Sequence, residues 1–128
     1  DAGPIAAQQA FALSPEDDAG TVYARSAELA AELLDEVLPS PTFTPQQGEP
    51  TYAAKIEAAD RELDFSRPVE SLNRIRALSP HIGARGELDG RRVTIWQARL
   101  EGGKVVPEVV PTEGRRKMSY DEFLRGLR

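Results

Sequence analysis

Residues 67–100, RPVESLNRIRALSPHIGARGELDGRRVTIWQARL, change texture halfway. The first part has Val69, Leu72, Ile75 and Leu78 at spacing three, with Pro68 at the start and Pro80 after the end. That spacing predicts a short helix with one apolar stripe, opened and closed by proline. The second part, ARGELDGRRVTIWQARL, predicts a β-hairpin. Asp89-Gly90 is a strong short-range turn signal, and VTIW has the β-branched and aromatic content of a strand. A helix feeding antiparallel strands predicts an α+β fold.

Working toward the C-terminus, Gly102-Gly103 is a second turn and KVVPEVVP a further strand. Pro107 cannot donate to a ladder, so it belongs at an edge or a bulge. Ser119-Tyr120-Asp121-Glu122 is a capping-box signature opening a short terminal helix, with Phe123, Leu124 and Leu127 expected on one side.

Toward the N-terminus, FALSPEDDAGTVYARSAELAAELLDEVLPSP predicts a helix from Pro15 to Leu38. Ser14 is its expected cap. Glu16, Asp17 and Asp18 fall where the helix dipole favours negative charge. Val22, Ser26, Leu29, Leu33 and Val37 form a stripe that Ala30, Leu34 and Leu38 widen. Pro39 and Pro41 end it. PIAAQQAFAL, before the helix, predicts a short strand. Pro39, Pro41, Pro45 and Pro50, four of the chain's ten prolines, lie within twelve residues, which is linker composition. AAKIEAADREL fits a short helix and an extended segment equally.

Composition bounds the function. The 128 residues are 40% hydrophobic and 29% charged, as expected of one ordinary globular domain or two small pieces. No stretch approaches the ~20 apolar residues of a membrane span. The absence of cysteine excludes a disulfide framework, a thiolate metal site and a cysteine nucleophile, and fits a cytoplasmic protein. One histidine, His81, excludes a multi-histidine metal site. The net charge of −5 is split: residues 1–66 carry three bases against thirteen acids, and residues 67–128 thirteen bases against eight acids. A basic half is suited to a polyanion.

No glycine-rich phosphate loop, nucleophile elbow or metal-ligand spacing occurs. His81 sits in a turn after a helix and reads as a loop histidine. Trp96 lies within a strand, where packing in or beside the core competes with base stacking. Arg115, Arg116 and Lys117 are either a solvated loop or, with Arg91, Arg92, Arg99 and Arg125, part of a phosphate-binding face.

Several short strings then fall in a recognisable order. They are Thr51-Tyr52-Ala53 with Lys55-Ile56, Leu63-Asp64-Phe65-Ser66, Ile75-Arg76-Ala77-Leu78-Ser79-Pro80, and the ending GRRKMSYDEFLRG. Together they resemble the linker and C-terminal domain of methionyl-tRNA formyltransferase, in the folate-dependent formyltransferase superfamily. The resemblance covers essentially the whole chain. DAGPI at residues 1–5 is similar to the end of the family's catalytic glycine–aspartate stretch, with Asp1 in the place of its catalytic aspartate. Two departures stand out. Phe65 replaces the usual tryptophan, and EGGKVVPEVVPTEG, residues 101–114, is shorter than the family's stretch by about two strands.

The resemblance implies a layout of three parts. Residues 1–38 would be the helical C-terminal remnant of an α/β formyltransferase domain. Residues 39–66 would be a linker, and residues 67–128 a small, shortened OB-like β-barrel that contacts tRNA. It implies transfer of a formyl group from 10-formyltetrahydrofolate to the amino group of methionyl initiator tRNA, without a metal, in the cytoplasm. Asp1 would orient and polarise a histidine that, with an asparagine, lies upstream in the family, so this chain alone is expected to be inactive. Arg85, Arg91, Arg92, Arg99, Arg115, Arg116 and Lys117 are the expected tRNA-contacting residues. The helix over residues 15–38 would lack the sheet it packs on, and is expected to self-associate through Leu29, Leu33 and Val37. A stand-alone RNA-binding or partner-binding module, or the tail of a sugar-nucleotide formyltransferase, is the alternative.

Overall fold

A computed structural model of the chain describes residues 3–110 and 117–126. It divides into two compact units, one of residues 1–17 and 21–55, the other of residues 18–20 and 56–128.

The first unit is built on helix α1, Ala19–Val37. The helix starts later than Pro15 because Ser14 and Asp17 close a turn of their own. The Ser14 N–H donates to Asp17 Oδ2 at 2.7 Å, and the Asp17 N–H to the Ser14 carbonyl at 3.1 Å. Ser14 Oγ accepts from the Glu16 N–H at 3.0 Å, so the expected cap is spent on the turn. The acids Glu16, Asp17 and Asp18 therefore precede the helix instead of lying in its first turn. Arg25 holds the approach, paired with Asp17 at 3.2 Å and lying over the Phe11 ring at 5.1 Å. The stripe Val22, Ser26, Leu29, Leu33 and Val37 is half-buried, while Ala30, Leu34 and Leu38 are exposed, and no residue of α1 is fully buried. The strand expected before the helix is reduced to one antiparallel bridge, Ile5 to Thr44.

The second unit holds the core. A 3-10 turn at Ala59–Arg61 leads to helix α2, Pro68–Leu78, whose bounds are those the prolines predict. Strands β1 (Ala84–Leu88) and β2 (Arg91–Ile95) form the expected hairpin, with Asp89 and Gly90 at φ 51° and 73°. β3 (Gln97–Glu101) and β4 (Lys104–Val110) pair about Gly102-Gly103, and β5 (Met118–Ser119) adds to Val109 and Val110. Helix α3, Tyr120–Arg125, closes the described chain.

The architecture is α+β with antiparallel strands, as expected. The strands form two small open sheets, β1-β2 and β3-β4-β5, among the described residues. One expectation is corrected here: Trp96 does not lie within a strand but between β2 and β3. The chain breaks at Trp96, whose N–H donates to the Val109 carbonyl at 3.0 Å, and β3 leaves β2 to pair with β4. Pro107 marks the matching irregularity. The register shifts between Gln97 and Ala98, Pro107 stands opposite Ala98, and β5 pairs with β4 only beyond it. Its missing N–H is thereby placed where no second neighbour needs it.

Ile75, Leu78, Ala84, Val93, Ile95, Val110 and Phe123 make one buried cluster, with Leu63 and Phe65 packed against it. Val69, expected on the same helical stripe, is 59% exposed, and Ser71 is buried instead. Spacing of three drifts around a helix of 3.6 residues per turn, so the fourth member leaves the face. Ser71 tolerates burial because its hydroxyl donates to the Asp64 carbonyl at 2.7 Å.

The capping box of α3 is fully formed. The Glu122 N–H donates to Ser119 Oγ at 3.3 Å and the Ser119 N–H to Glu122 Oε2 at 2.9 Å, an arrangement worth ~1 kcal/mol. Phe123 is buried and Leu124 exposed, while Leu127 lies outside the described residues.

The entry to α2 is pH-sensitive. Asp64 Oδ1 accepts from the Ser66 hydroxyl at 2.6 Å and the Ser66 N–H at 3.0 Å. Those bonds, the hydroxyl first, and then the charge of Arg67 hold the Asp64 carboxyl below the usual range. A carboxyl with a lowered folded-state pKa stabilises the fold above the unfolded pKa of about 4 and loses that contribution as pH falls through the folded value. Asp64→Asn keeps an acceptor but cannot titrate. Its deficit in melting temperature against the wild type is therefore expected to shrink between pH 6 and strong acid. A constant deficit across that window would contradict this.

Candidate functional site

The expected phosphate-binding residues are spread over both sheets, and acids are threaded among them. Asp1, Arg115 and Arg116 lie outside the described residues. Arg85 and Arg92 share one face of the β1-β2 hairpin, because Arg85 stands opposite Thr94 and Arg92 opposite Glu87 in a two-residue alternation. Arg91 projects from the other face at the hairpin's exposed end, opposite Leu88. Arg92 is paired with Glu62 at 2.7 Å, both side chains being well exposed. An exposed pair of this kind contributes ~0–1 kcal/mol and exchanges readily for another anion.

Arg99 is placed differently. It donates to Glu101 at 2.7 Å and to Glu108 at 3.2 Å. Hydrogen bonds to Glu101 and then Glu108 raise its pKa further. The triad carries one more negative than positive charge. The adjoining cleft of about 260 Å³ is lined by Glu108 and Asp121 as well as Arg99. Arg99 is thus already engaged by two carboxylates on this side of the β3-β4 sheet.

Lys117 lies just before β5. Its ammonium sits over the Trp96 ring, 3.8 Å from the centroid. Among the described residues it has no carboxylate partner. Trp96 is half-buried, as the packing alternative expects, and its indole N–H is enclosed without an acceptor among the described residues. Its carbonyl accepts from the Ser79 hydroxyl. The link from Lys117 to Trp96 had no signal in the sequence, because it depends on β5 pairing beside Val109.

Arg61, not among the expected site residues, has a structural task. It donates to the Gly83 carbonyl at 3.0 Å and the Ile82 carbonyl at 2.9 Å, tying the 3-10 turn to the loop before β1. His81 is exposed in that loop. Among the described residues no group of three or more histidines or carboxylates is arranged to hold a metal, and no helix is long and apolar enough to cross a membrane.

These elements make a small α+β unit. Residues 55–108 match the family described as formyl transferase, C-terminal domain. Over nearly its whole length the chain is similar to methionyl-tRNA formyltransferases. It is 35% identical to that of Paracoccus denitrificans, over 99% of this chain and 50% of the relative. It is 33% identical to one from Cereibacter sphaeroides, over 99% and 50%. It is 35% identical to that of Pelotomaculum thermopropionicum, over 98% and 50%. The chain thus spans about half the length of the curated relatives it matches. The first alignment runs over 150 positions against a chain of 128 residues, so the relative has residues where this chain has gaps.

Proposed function

We propose that the chain is the C-terminal portion of a methionyl-tRNA formyltransferase, serving translation initiation in the cytoplasm. In this reading the parent enzyme moves a formyl group from 10-formyltetrahydrofolate to the amino group of methionyl initiator tRNA. Residues 1–38 belong to its catalytic domain, 39–66 to a linker and 67–128 to the tRNA-contacting domain. Asp1 is a catalytic carboxylate that works only beside upstream partners, so the chain alone transfers no formyl group. The carrying observation is similarity along 99% of the chain to enzymes of that name.

The part assigned to this chain is to hold tRNA by its backbone. Such contacts position the ligand without reading sequence. Arg85, Arg91, Arg92, Arg115, Arg116 and Lys117 are the proposed contacts. Arg99 was expected among them, and its two carboxylate partners make it the weakest candidate.

Weak tRNA binding is expected, with log affinity falling against log salt by ~0.7–0.9 for each phosphate neutralised. Arg91→Gln is expected to lower that slope by about one unit and Arg99→Gln to leave it unchanged. A flat salt dependence, or no binding in dilute buffer, would sink the proposal.

Self-association through α1 is the remaining part. Tyr23, Leu34 and Leu38 stand exposed beside the half-buried Leu29, Leu33 and Val37. A sedimentation coefficient that rises with concentration is expected, and a sharp monomer over a wide range would contradict it.

A further inference from the structure

We propose that Trp96 and Lys117 form a clamp for one unpaired nucleotide, the indole face taking the base and the Lys117 ammonium the adjoining phosphate. This rests on the reading that the chain meets RNA and names the place and the kind of RNA.

The backbone of Trp96 is fixed from both sides. Its N–H donates to Val109 at 3.0 Å and its carbonyl accepts from Ser79. The ring edge lies against Gly83, where a Cβ would come within 3.1 Å of Cζ2. The indole is therefore a rigid platform, the state in which a stacking surface loses least entropy on binding. One face is capped by the ammonium of an exposed lysine. A face that a flexible, solvated cation reaches is one that solvent reaches once the cation moves.

The energetics favour exchange. A cation over an aromatic ring at an exposed site is worth ~0.5–1 kcal/mol. A base stacked on the same ring is worth ~1–3 kcal/mol, and the displaced ammonium gains a phosphate. Lys117 has no described carboxylate to give up first, unlike Arg92 and Arg99. It is also preceded in the chain by Arg115 and Arg116. In a duplex both faces of a base are already stacked, so the clamp selects a single-stranded end or loop and tolerates any base.

Trp96 is the chain's one tryptophan, so its emission reports this site alone. The whole chain is titrated with a short oligouridylate, with the matching RNA duplex and with inorganic polyphosphate. Binding is read in parallel from the anisotropy of labelled RNA. The expected result is strong quenching of Trp96 by the oligouridylate and little by duplex or polyphosphate. Lys117→Gln, an exposed change that leaves the fold intact, is expected to weaken oligouridylate binding about threefold to tenfold and lower its salt slope by about one unit. RNA binding with unchanged Trp96 emission overturns the clamp and leaves the broader reading standing. Equal quenching by polyphosphate overturns it in favour of a plain anion site. No RNA bound in dilute buffer overturns both.

Discussion

Ile75→Ala is expected to lower the stability of the second unit by ~2–5 kcal/mol. Ile75 is 1% exposed, at the centre of the buried cluster. It is held between α2 and the sheets, since α2 packs on β1, β3 and β4. Cutting it to alanine removes three methyl or methylene carbons and leaves a cavity that the rigid β-hairpins cannot collapse into. For a domain of this size each kcal/mol moves the melting temperature by ~4–8 °C, so a drop of more than about 10 °C is expected. Val69→Ala is the control. The side chain is exposed, alanine is the better helix former, and the change is expected to lie within about 0.5 kcal/mol. If both variants melt alike, α2 does not bury the face described.

The pair also marks how far the sequence could be read. Proline and glycine punctuation placed α2 and both turns correctly, because Pro68, Asp89-Gly90 and Gly102-Gly103 act through local backbone sterics. The capping box at Ser119 was legible for the same reason. What failed was longer in range. The apolar spacing of three admitted Val69 to the core, and only the tertiary packing shows that Ser71 takes its place over the Asp64 carbonyl. The β-branched and aromatic pattern of VTIW placed Trp96 within a strand and hid the break there, where its N–H turns to the Val109 carbonyl.

The short strings that carry the family resemblance divide in the same way. Leu63, Phe65, Ile75, Leu78 and Ser79 are core or packed on it, so folding alone accounts for them. Tyr52 is 90% exposed and Ile56 51% exposed, so packing among the described residues accounts for less of these two. The candidate phosphate face was legible as charge and not as geometry. A count of arginines does not reveal that Arg99 faces Glu101 and Glu108, while Arg92 faces Glu62, thirty residues upstream.

Gly83→Ala is expected to cost about as much as the core cavity, by the opposite mechanism. Gly83 has φ +76°, where an L side chain costs ~1–2 kcal/mol. A Cβ there would also stand 2.4 Å from Thr94 Cγ2 and 3.1 Å from the Trp96 ring. Overpacking of that kind costs ~1–3 kcal/mol, and relief is hard to find here. The Gly83 N–H is tied to the Leu78 carbonyl at 2.9 Å and its own carbonyl to Arg61, so the loop cannot retreat. A loss of ~2–4 kcal/mol is expected, with a shift in Trp96 emission in the folded state because the ring is pushed. Thr94→Ser removes the Cγ2 methyl and with it the closest clash. The double variant Gly83→Ala, Thr94→Ser should therefore regain part of the loss and retain ~1 kcal/mol or more from the backbone. Complete recovery would mean that the φ strain is absent. No recovery would mean that the Trp96 contact or the backbone, and not Thr94, sets the cost. A melting temperature unchanged by Gly83→Ala would mean that the loop between α2 and β1 is not held as described, and the rigid platform at Trp96 would lose its support.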